Sequence, residues 1–298
     1  MFDNFQNIVR STNIKSLTLS IEDLGKLFEL IKKLNEEAKE HQVESIIKMG
    51  MASVPVYPYE VVEDAKKVML EKYVVGVEIY TTKGQYFRYY NPEEAFDKNK
   101  LPDNINRIVI SNTLVFNLQR ELIQPYRIIV DLNFSRTTLL DFLSNPSYET
   151  FNPSKIEVWG LNESWTYGAH EKLSEYIKIR SNKRYWIHSR NIYDLFIWAL
   201  IVPIVFRILY KIDLWLNVKI IHISSVLFTF IYIYLFIVGL LIFNLSFKYL
   251  RRSFPPMELK SNLNTKGKIA SSLILLFVSS VGIKMLYDII RYLVSYLF

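Results

Sequence analysis

Strand-like and helix-like patterns of apolar residues alternate over the first 180 residues. Strand patterns occur at 14–20, 74–80, 85–90, 105–111, 127–134 and 155–160, and we interpret 164–167 as the hairpin partner of the last of these. Helical spacing predicts helices at about 21–40, 59–72 and 169–179, with shorter ones after Pro92 and Ser135. Together these elements predict an α+β domain over residues 1–180.

The last third of the chain contains three long apolar runs, at 192–206, 220–243 and 269–283. The first contains one charged residue, Asp194, and the other two contain no Asp, Glu, Lys or Arg. A helix needs about 20 apolar residues to cross the core of a bilayer, where its backbone must satisfy its own hydrogen bonds. We therefore predict a transmembrane helical domain over 181–298, with spans at about 192–211, 220–247 and 268–290. The alternative, a soluble protein with buried helices, is disfavoured because two of the runs lack a polar face.

Two pairs of segments in the predicted α+β domain resemble each other. Segment 17–31 parallels 129–143, and segment 77–96 parallels 156–176. In the second pair Glu78 aligns with Glu157, Tyr80 with Trp159, and Tyr86 with Trp165. The similarity predicts two βαββα units, the first expanded by 42–73. Chance similarity between amphipathic strand–helix pairs is the alternative.

The formal net charge of +7 is unevenly distributed along the chain. Residues 1–190 contain 25 Lys and Arg against 25 Asp and Glu, whereas 191–298 contain 11 against 4. The balanced part does not have the charge of a general polyanion binder. The basic excess therefore favours contact between the apolar part and anionic lipid headgroups.

Basic residues also predict an orientation. Segments 178–190 and 244–268 contain five and six Lys and Arg, against five in all around the opposite ends of the apolar runs. Because basic residues favour the cytoplasmic side, we expect residues 1–180 and 244–268 to lie in the cytoplasm, on a multi-pass inner-membrane protein. The first residues contain no basic segment followed by an apolar run, so we expect no signal peptide.

The sequence contains no motif typical of a catalytic or metal site. It has no cysteine, and its four histidines are too far apart for a local metal motif, so we predict no catalytic residue, metal or cofactor. Asp131 and Glu157 are the pair of carboxylates that fits a metal-dependent nuclease best, but no lysine follows Glu157 in the E-x-K position. Carboxylates at sheet edges are the simpler interpretation.

Aromatic residues are abundant in the predicted hairpins. Alternation along a strand sends some of them to the core and others outward. The candidates for stacking on a ligand or contacting a partner are Tyr86, Tyr89, Trp159 and Trp165. Packing in the sheet core and pairing across strands is the alternative.

The last apolar run continues into a segment with charged residues at helical spacing. Lys284, Asp288 and Arg291 fall at i, i+4 and i+7, and Ser280 and Phe277 continue the same face. Ionisable residues on a membrane helix typically face water or a partner, so these five are candidates to line a pore. The alternative is that the charged side chains reach the nearby interface.

Two segments give the chain a resemblance to known proteins: KIEVWGLNESWTYGAHEKLSEYIKIRSNKRYWIHSRNIYDLF (155–196) and SFPPMELK (253–260). They resemble a group of bacterial membrane proteins, and the overall layout is similar to that of transmembrane effectors of anti-phage defence, including the Hailong-type channel subunit. The resemblance implies a homo-oligomeric ion channel, with a tetramer favoured, gated by a cytoplasmic partner or by a nucleotide or oligonucleotide. A membrane-anchored enzyme, with its site among the strand carboxylates and hairpin aromatics, stays the alternative.

Overall fold

The chain forms two compact units in a computed structural model that describes residues 8–53, 67, 71, 73–97, 99–102, 104–114, 125–136, 147–219 and 225–260. The α+β unit contains the described residues up to Ser135, together with 152–183 and 256–260. The helical unit contains the described residues of 136–151 and 184–255. The junction at 183/184 lies near the predicted boundary at 180/181. However, described residues of 136–151, before it, belong to the helical unit, and 256–260, after it, belong to the α+β unit.

A six-stranded antiparallel sheet forms the centre of the α+β unit. Its strands are β1 (Ile8–Asn13), β3 (Gly76–Thr81), β4 (Tyr86–Tyr89), β5 (Ile105–Ser111), β6 (Arg127–Asn133) and β7 (Lys155–Gly160). Their order across the sheet is β1-β7-β6-β5-β3-β4. The predicted hairpin between β3 and β4 is confirmed, and Gly84 turns it with a φ of 77° that favours glycine.

Two helices, α1 (Ile21–Ser53) and α3 (Glu163–Ile179), supply apolar side chains to the core of this unit. The Ser20 hydroxyl accepts from the Asp23 amide at 3.1 Å while the Asp23 carboxylate accepts from the Ser20 amide at 2.9 Å, so these two residues cap the start of α1. The short helix α2 (Pro92–Ala95) is capped by Asn91. The core contains, among others, Leu24, Leu27, Phe28, Ile31, Val77, Ile79, Ile108, Ile110, Val130 and Val158.

The prediction of a strand at 164–167 is wrong. These residues are helical, because the Asn162 side-chain oxygen accepts from the Trp165 amide at 3.0 Å and starts α3 there. α1 also continues to Ser53, beyond the predicted end near residue 40. Most of the helix predicted at 59–72 and nearly all of the one predicted after Ser135 lie outside the described residues.

The proposed pair of βαββα units is not confirmed by the described elements. Trp165 lies in a helix whereas its proposed equivalent Tyr86 lies in β4, so the second unit lacks the hairpin of the first. β2 (Leu17–Ser20) and β6 also have different surroundings, because β2 lies in a separate two-stranded sheet.

That small sheet brings the chain back to the α+β unit after the apolar helices. β2 pairs in parallel with β8 (Met257–Lys260), in a register that places Leu17 opposite Met257 and Leu19 opposite Leu259. Leu17, Leu19 and Met257 are all buried in the main core. Residues 184–255 of the helical unit therefore lie, along the chain, between two segments of the α+β unit.

The helical unit contains α4 (Tyr185–His188), α5 (Ile192–Phe196), a π-helical turn (Ile197–Ile201), α6 (Val202–Lys219) and α7 (Ser225–Ser253). Two windows, Ile192–Lys211 and Tyr232–Ser253, have mean hydropathies of 2.1 and 1.9 and are long enough to cross a membrane. The first matches the predicted span, whereas the second ends six residues later than predicted. The third predicted span, at 268–290, lies outside the described residues.

Close contact between α6 and α7 centres on Gly239. A Cβ atom at this glycine would lie 3.0 Å from a Val205 methyl carbon, which is tighter than ordinary contact. Phe206 and Phe236 lie beside it, with ring centroids 6.2 Å apart. The small residue thus lets the two apolar helices approach, as is typical of helix pairs in membranes.

Candidate functional site

The face of the large sheet opposite the core side chains is polar and aromatic, and we call it the polar face. Alternation and strand register place on it, among other side chains, Glu78, Tyr80, Tyr86, Arg88, Arg107, Arg127, Asp131, Lys155, Glu157 and Trp159. The sequence predicts that half of each strand faces outward, but only the register shows which outward residues are neighbours.

Glu78 is the centre of one end of the polar face. Its carboxylate accepts from the Tyr80 hydroxyl at 2.9 Å, from the Tyr86 hydroxyl at 2.5 Å, and from the Arg88 guanidinium at 2.6 and 3.1 Å. Burial raises the pKa of this carboxyl, but the bonds from Tyr86 and Arg88 outweigh it and hold the pKa below its ordinary value. Burial and the bond to Glu78 raise the pKa of Tyr86 to about 12. Glu78 is therefore ionised and Tyr86 neutral at physiological pH.

The other carboxylates of the polar face also have cation partners. Arg107 donates two bonds to Asp131, at 2.6 and 2.8 Å, and Lys155 donates to Glu157 at 2.6 Å. These pairs occupy the two carboxylates that a metal-dependent nuclease would need. In the part of the chain that the structure describes, no group of three His, Cys, Asp or Glu residues is placed to hold a metal. Each of the three carboxylates named on the polar face is thus paired with a cation, while Arg127 lies over Trp159.

The four aromatic candidates divide between the two faces of the sheet. Tyr86 lies on the polar face beside Tyr80, with ring centroids 5.1 Å apart, and Trp159 lies beneath the Arg127 guanidinium at 4.3 Å. Tyr89 and Trp165 instead pack in the core, where Trp165 is 7% exposed. β4 and β7 are four strand spacings apart, about 19 Å. Tyr86 and Trp159 therefore cannot stack on the same base, and the two core residues are not available to a ligand on the polar face.

The five candidates to line a pore, Phe277, Ser280, Lys284, Asp288 and Arg291, lie outside the described residues. Their role stays a prediction from sequence.

A second group of interacting residues, which the sequence did not predict, lies where the end of α7 meets the chain before α5. We call this part the base of the helical unit. Arg251, in the last turn of α7, is 6% exposed. Its guanidinium donates to the carbonyl oxygens of Ile187 and Tyr148, both at 3.1 Å, and of Ser189 at 3.5 Å. The Phe247 ring lies 4.9 Å from it. We call Arg251 and its three carbonyl acceptors the arginine clamp; it ties the end of α7 to the chain before α5.

His188 strengthens the same connection. Its Nε2 atom lies 2.7 Å from the Phe254 carbonyl oxygen, and its Nδ1 atom lies 2.9 Å from the Thr150 hydroxyl. A carbonyl oxygen only accepts, so Nε2 carries the proton and Nδ1 accepts from Thr150. Burial, aided by the nearby Arg251 charge, lowers the pKa of His188 to about 4 although the bond to Phe254 opposes the shift.

Two further side-chain hydrogen bonds lie in the same part of the helical unit. Ser147 donates to the Asp194 carboxylate at 2.6 Å, and the Tyr185 hydroxyl donates to Glu149. Asn191 begins α5 with a φ of 66°, a conformation that asparagine tolerates better than most residues. From sequence, an arginine at the end of an apolar helix indicates orientation. Its burial against carbonyl groups becomes evident only from the fold.

Comparison of the chain with family models, with curated proteins and with solved structures gives no match. Functional conclusions therefore depend on the geometry of the two units and on the sequence.

We expect the stability of the full chain to fall as the pH decreases from 7.5 to 5. The pKa of His188 is lower in the folded protein than the ordinary 6.5, so the unfolded chain binds a proton first. The stabilisation is complete above pH 6.5 and is lost towards pH 4, with about 2 kcal/mol lost by pH 5. Thermal unfolding at several pH values will measure it.

His188→Gln keeps a donor for the Phe254 carbonyl but removes the titrating ring. This variant should show a flatter dependence of Tm on pH between 7.5 and 5 than the original chain. An equally steep dependence in both proteins would assign the effect to other groups, such as His170, whose pKa burial and the Arg10 charge also lower.

Proposed function

We propose that the chain is a membrane effector whose cytoplasmic α+β unit receives a ligand or a partner protein, and whose apolar helices assemble with those of other copies into an ion-conducting pore. The layout resemblance described above leads us to propose a role in bacterial defence against phage. The observation that carries the proposal is the insertion of the apolar helical segment 184–255 between α3 and β8 of the α+β unit.

The exposure of the apolar helices supports the membrane part of the proposal. Only 11% of each apolar window is buried, whereas the core helix of a soluble protein would be mostly buried. Trp198, Phe230 and Tyr234 are 73%, 66% and 67% exposed. Lipid is the solvent that such a surface favours.

Attachment at both ends supports the effector part. The chain leaves the α+β unit after Lys183 and is again in it at Pro256. This supports our proposal that the two apolar helices form a hairpin with both ends on one side of the membrane. The basic segments 178–190 and 244–268 favour the cytoplasm for that side. A ligand or partner that binds the α+β unit therefore acts on a unit whose chain continues into the apolar helices both after Lys183 and before Pro256.

A pore requires several copies. Two or three helices from one chain do not enclose a water-filled path, so we propose a closed symmetric oligomer, with a tetramer favoured. The last apolar run supplies the residues that we propose to face the path, because it combines Ser280 with the charges of Lys284, Asp288 and Arg291.

Replacing Ser280 with leucine is expected to reduce the ion conductance of the activated protein at least about tenfold, because a bulky apolar side chain narrows and dehydrates a pore. Lys284→Glu should shift the preference from anions toward cations, since a charge at a pore acts through a low-dielectric wall. Planar-bilayer recordings of the purified full chain and membrane-potential measurements in phage-challenged cells will test both.

Ser246→Leu is the matched control, because Ser246 is exposed on α7 and its hydroxyl donates within its own helix to the Ile242 carbonyl. It should leave conductance unchanged. A chain that is monomeric in several mild detergents and never conducts, with or without phage challenge, would contradict the pore and favour the membrane-anchored enzyme.

A further inference from the structure

In the part of the chain that the structure describes, the six-stranded sheet ends in two edge strands, β1 and β4. An edge strand presents backbone N–H and C=O groups to which another strand can bond. β4 is a protected edge, because it is four residues long, contains Arg88 and ends shortly before Pro92. β1 is six residues long, contains neither lysine nor proline, and pairs with β7 without a bulge. β1 is therefore the edge that is open to pairing.

Three residues of β1 direct their backbone groups to the open edge. The Ile14 N–H donates to the Ser154 carbonyl at 2.8 Å, and in an antiparallel pair the residues that exchange such bonds recur at every second position. The even-numbered residues of β1 therefore bond to β7, and the odd-numbered ones point away from it. These are Val9, which is 42% exposed, and Ser11 and Asn13, which are also exposed.

Side chains on the other face of β1 are held by α3. The Arg10 guanidinium carbon lies 3.8 Å from the centre of the Tyr167 ring. The Thr12 hydroxyl oxygen lies 3.0 Å from Nε2 of His170. These contacts fix β1 in an extended conformation, so that a second strand joins it without the cost of ordering it first.

β1 is complementary to a second copy of itself. Two copies related by a two-fold axis perpendicular to the sheet run antiparallel and present the same face on the same side, so odd-numbered residues oppose odd-numbered ones. With Ser11 on the axis, Val9 lies opposite Asn13 of the second copy, and the two strands exchange about six backbone hydrogen bonds. Registers centred elsewhere pair fewer of the outward residues. The register centred on Arg10 also places two guanidinium groups opposite each other, which is destabilising.

The position of α3 fits the same arrangement. This helix packs against both β1 and β7, so the two copies of α3 lie about two strand spacings apart, roughly 10 Å. Packed helices have interaxial distances of about 8–10 Å. The joined sheet therefore brings the two helices into contact without a collision.

We propose that β1 of one chain pairs antiparallel with β1 of a second copy, with Ser11 on the two-fold axis, so that the two sheets continue into one. The interface is isologous, and two such dimers give the tetramer that the proposed function favours. The proposal rests on the proposed function for the number of copies. The pairing itself rests on the open edge and on the position of the one charge of β1, and not on the pore.

Cysteine cross-linking of the full chain in isolated membranes tests the pairing, because the sequence contains no cysteine of its own. Ser11→Cys should form a disulfide between two copies under a mild oxidant, since the Cα atoms of a hydrogen-bonded pair are about 5.5 Å apart. Asn13→Cys is the matched control, because it is exposed on the same face but its two copies are about 14 Å apart. We expect at least about tenfold more cross-linked dimer from Ser11→Cys than from Asn13→Cys.

A mixture of two differently tagged chains, one with Val9→Cys and the other with Asn13→Cys, tests the register. The two chains should cross-link to each other, whereas Val9→Cys alone should not. Ser11→Pro in both chains should reduce this cross-link at least about tenfold, because proline lacks the N–H that bonds to the second copy. The bonds from β1 to β7 persist in that variant, since the Ser11 N–H points away from β7. Ser11→Thr should keep the cross-link.

Equal cross-linking of Ser11→Cys and Asn13→Cys, or no dimer from Ser11→Cys, would overturn the proposed pairing. A cross-link from Ser11→Cys to a different protein would overturn it as well, because another chain would then occupy the edge. Cross-linking is measured independently of conductance. A chain that cross-links but never conducts contradicts only the pore, and one that conducts without this cross-link contradicts only the β1 interface.

Discussion

Replacing Arg251 with methionine is expected to lower the Tm of the full chain by roughly 5–10 °C, in keeping with a loss of about 3 kcal/mol. Methionine preserves the apolar stem but removes the guanidinium, and with it both the donors to three carbonyl oxygens and the contact with the Phe247 ring. Carbonyl groups left without a donor away from water are costly. Thermal unfolding in detergent measures the change.

Arg252→Met is the control for this prediction, because it removes the same charge from the adjacent position of α7. Arg252 is partly exposed, so its replacement should lower the Tm by no more than about 2 °C. Arg251→Lys should have an intermediate effect, since an ammonium group lacks the fork of the guanidinium and cannot reach all three carbonyls. Equal losses for Arg251→Met and Arg252→Met would show that the clamp does not stabilise the fold.

Local sequence signals predict several elements closely. β5 and β7 have the predicted bounds, because each is a short segment with β-branched residues between turn residues. The β3–β4 hairpin follows from a glycine where the turn needs a positive φ. The first apolar window agrees with the predicted span because long apolar runs depend little on the rest of the fold.

Elements that depend on distant partners are not predictable in the same way. β8 is only four residues long and is defined by pairing with β2, more than 230 residues earlier in the chain. β1 pairs with β7 in the same long-range manner. The aromatic residues at 164–167 are typical of a strand, but these residues are helical because the Asn162 side chain caps the start of α3. The local sequence does not show whether one helix cap outweighs the strand propensity of the aromatic residues that follow it.

In the candidate site, too, the local sequence predicts some features, whereas others depend on distant parts of the chain. Alternation correctly indicates that aromatic residues divide between two faces, but the facing of Tyr86 outward and Trp165 inward depends on the register and on the helix at Trp165. Arg251 and His188 carry no distinctive sequence signal. Their significance comes from carbonyl groups on three separate segments, which only the folded chain brings together.

The second prediction with a large expected effect concerns the membrane topology of the two apolar helices. An introduced cysteine should change from protected to fully labelled according to the side of the membrane on which it lies. The sequence contains no cysteine, so single cysteines can be introduced without a background. Lys83 lies in the turn between β3 and β4, Lys260 ends β8, and Lys219 ends α6. Cysteines at Lys83 and Lys260 should be cytoplasmic, whereas one at Lys219 should be outside.

The same experiment includes Ser295→Cys, which reports on the third predicted span and should also be outside. Each variant is compared with itself after the membrane has been permeabilised, so that a buried cysteine is not mistaken for a cytoplasmic one. Protection at Ser295 alone would remove the third span and leave the hairpin intact.

Labelling of the single-cysteine variants with a membrane-impermeant maleimide on spheroplasts tests the central claim most directly. Our account predicts rapid labelling at Lys219→Cys, and protection of Lys83→Cys and Lys260→Cys until the membrane is opened. The reverse pattern would contradict the proposed orientation. Equal labelling at Lys83→Cys and Lys219→Cys in spheroplasts would show that the two apolar helices do not cross the membrane.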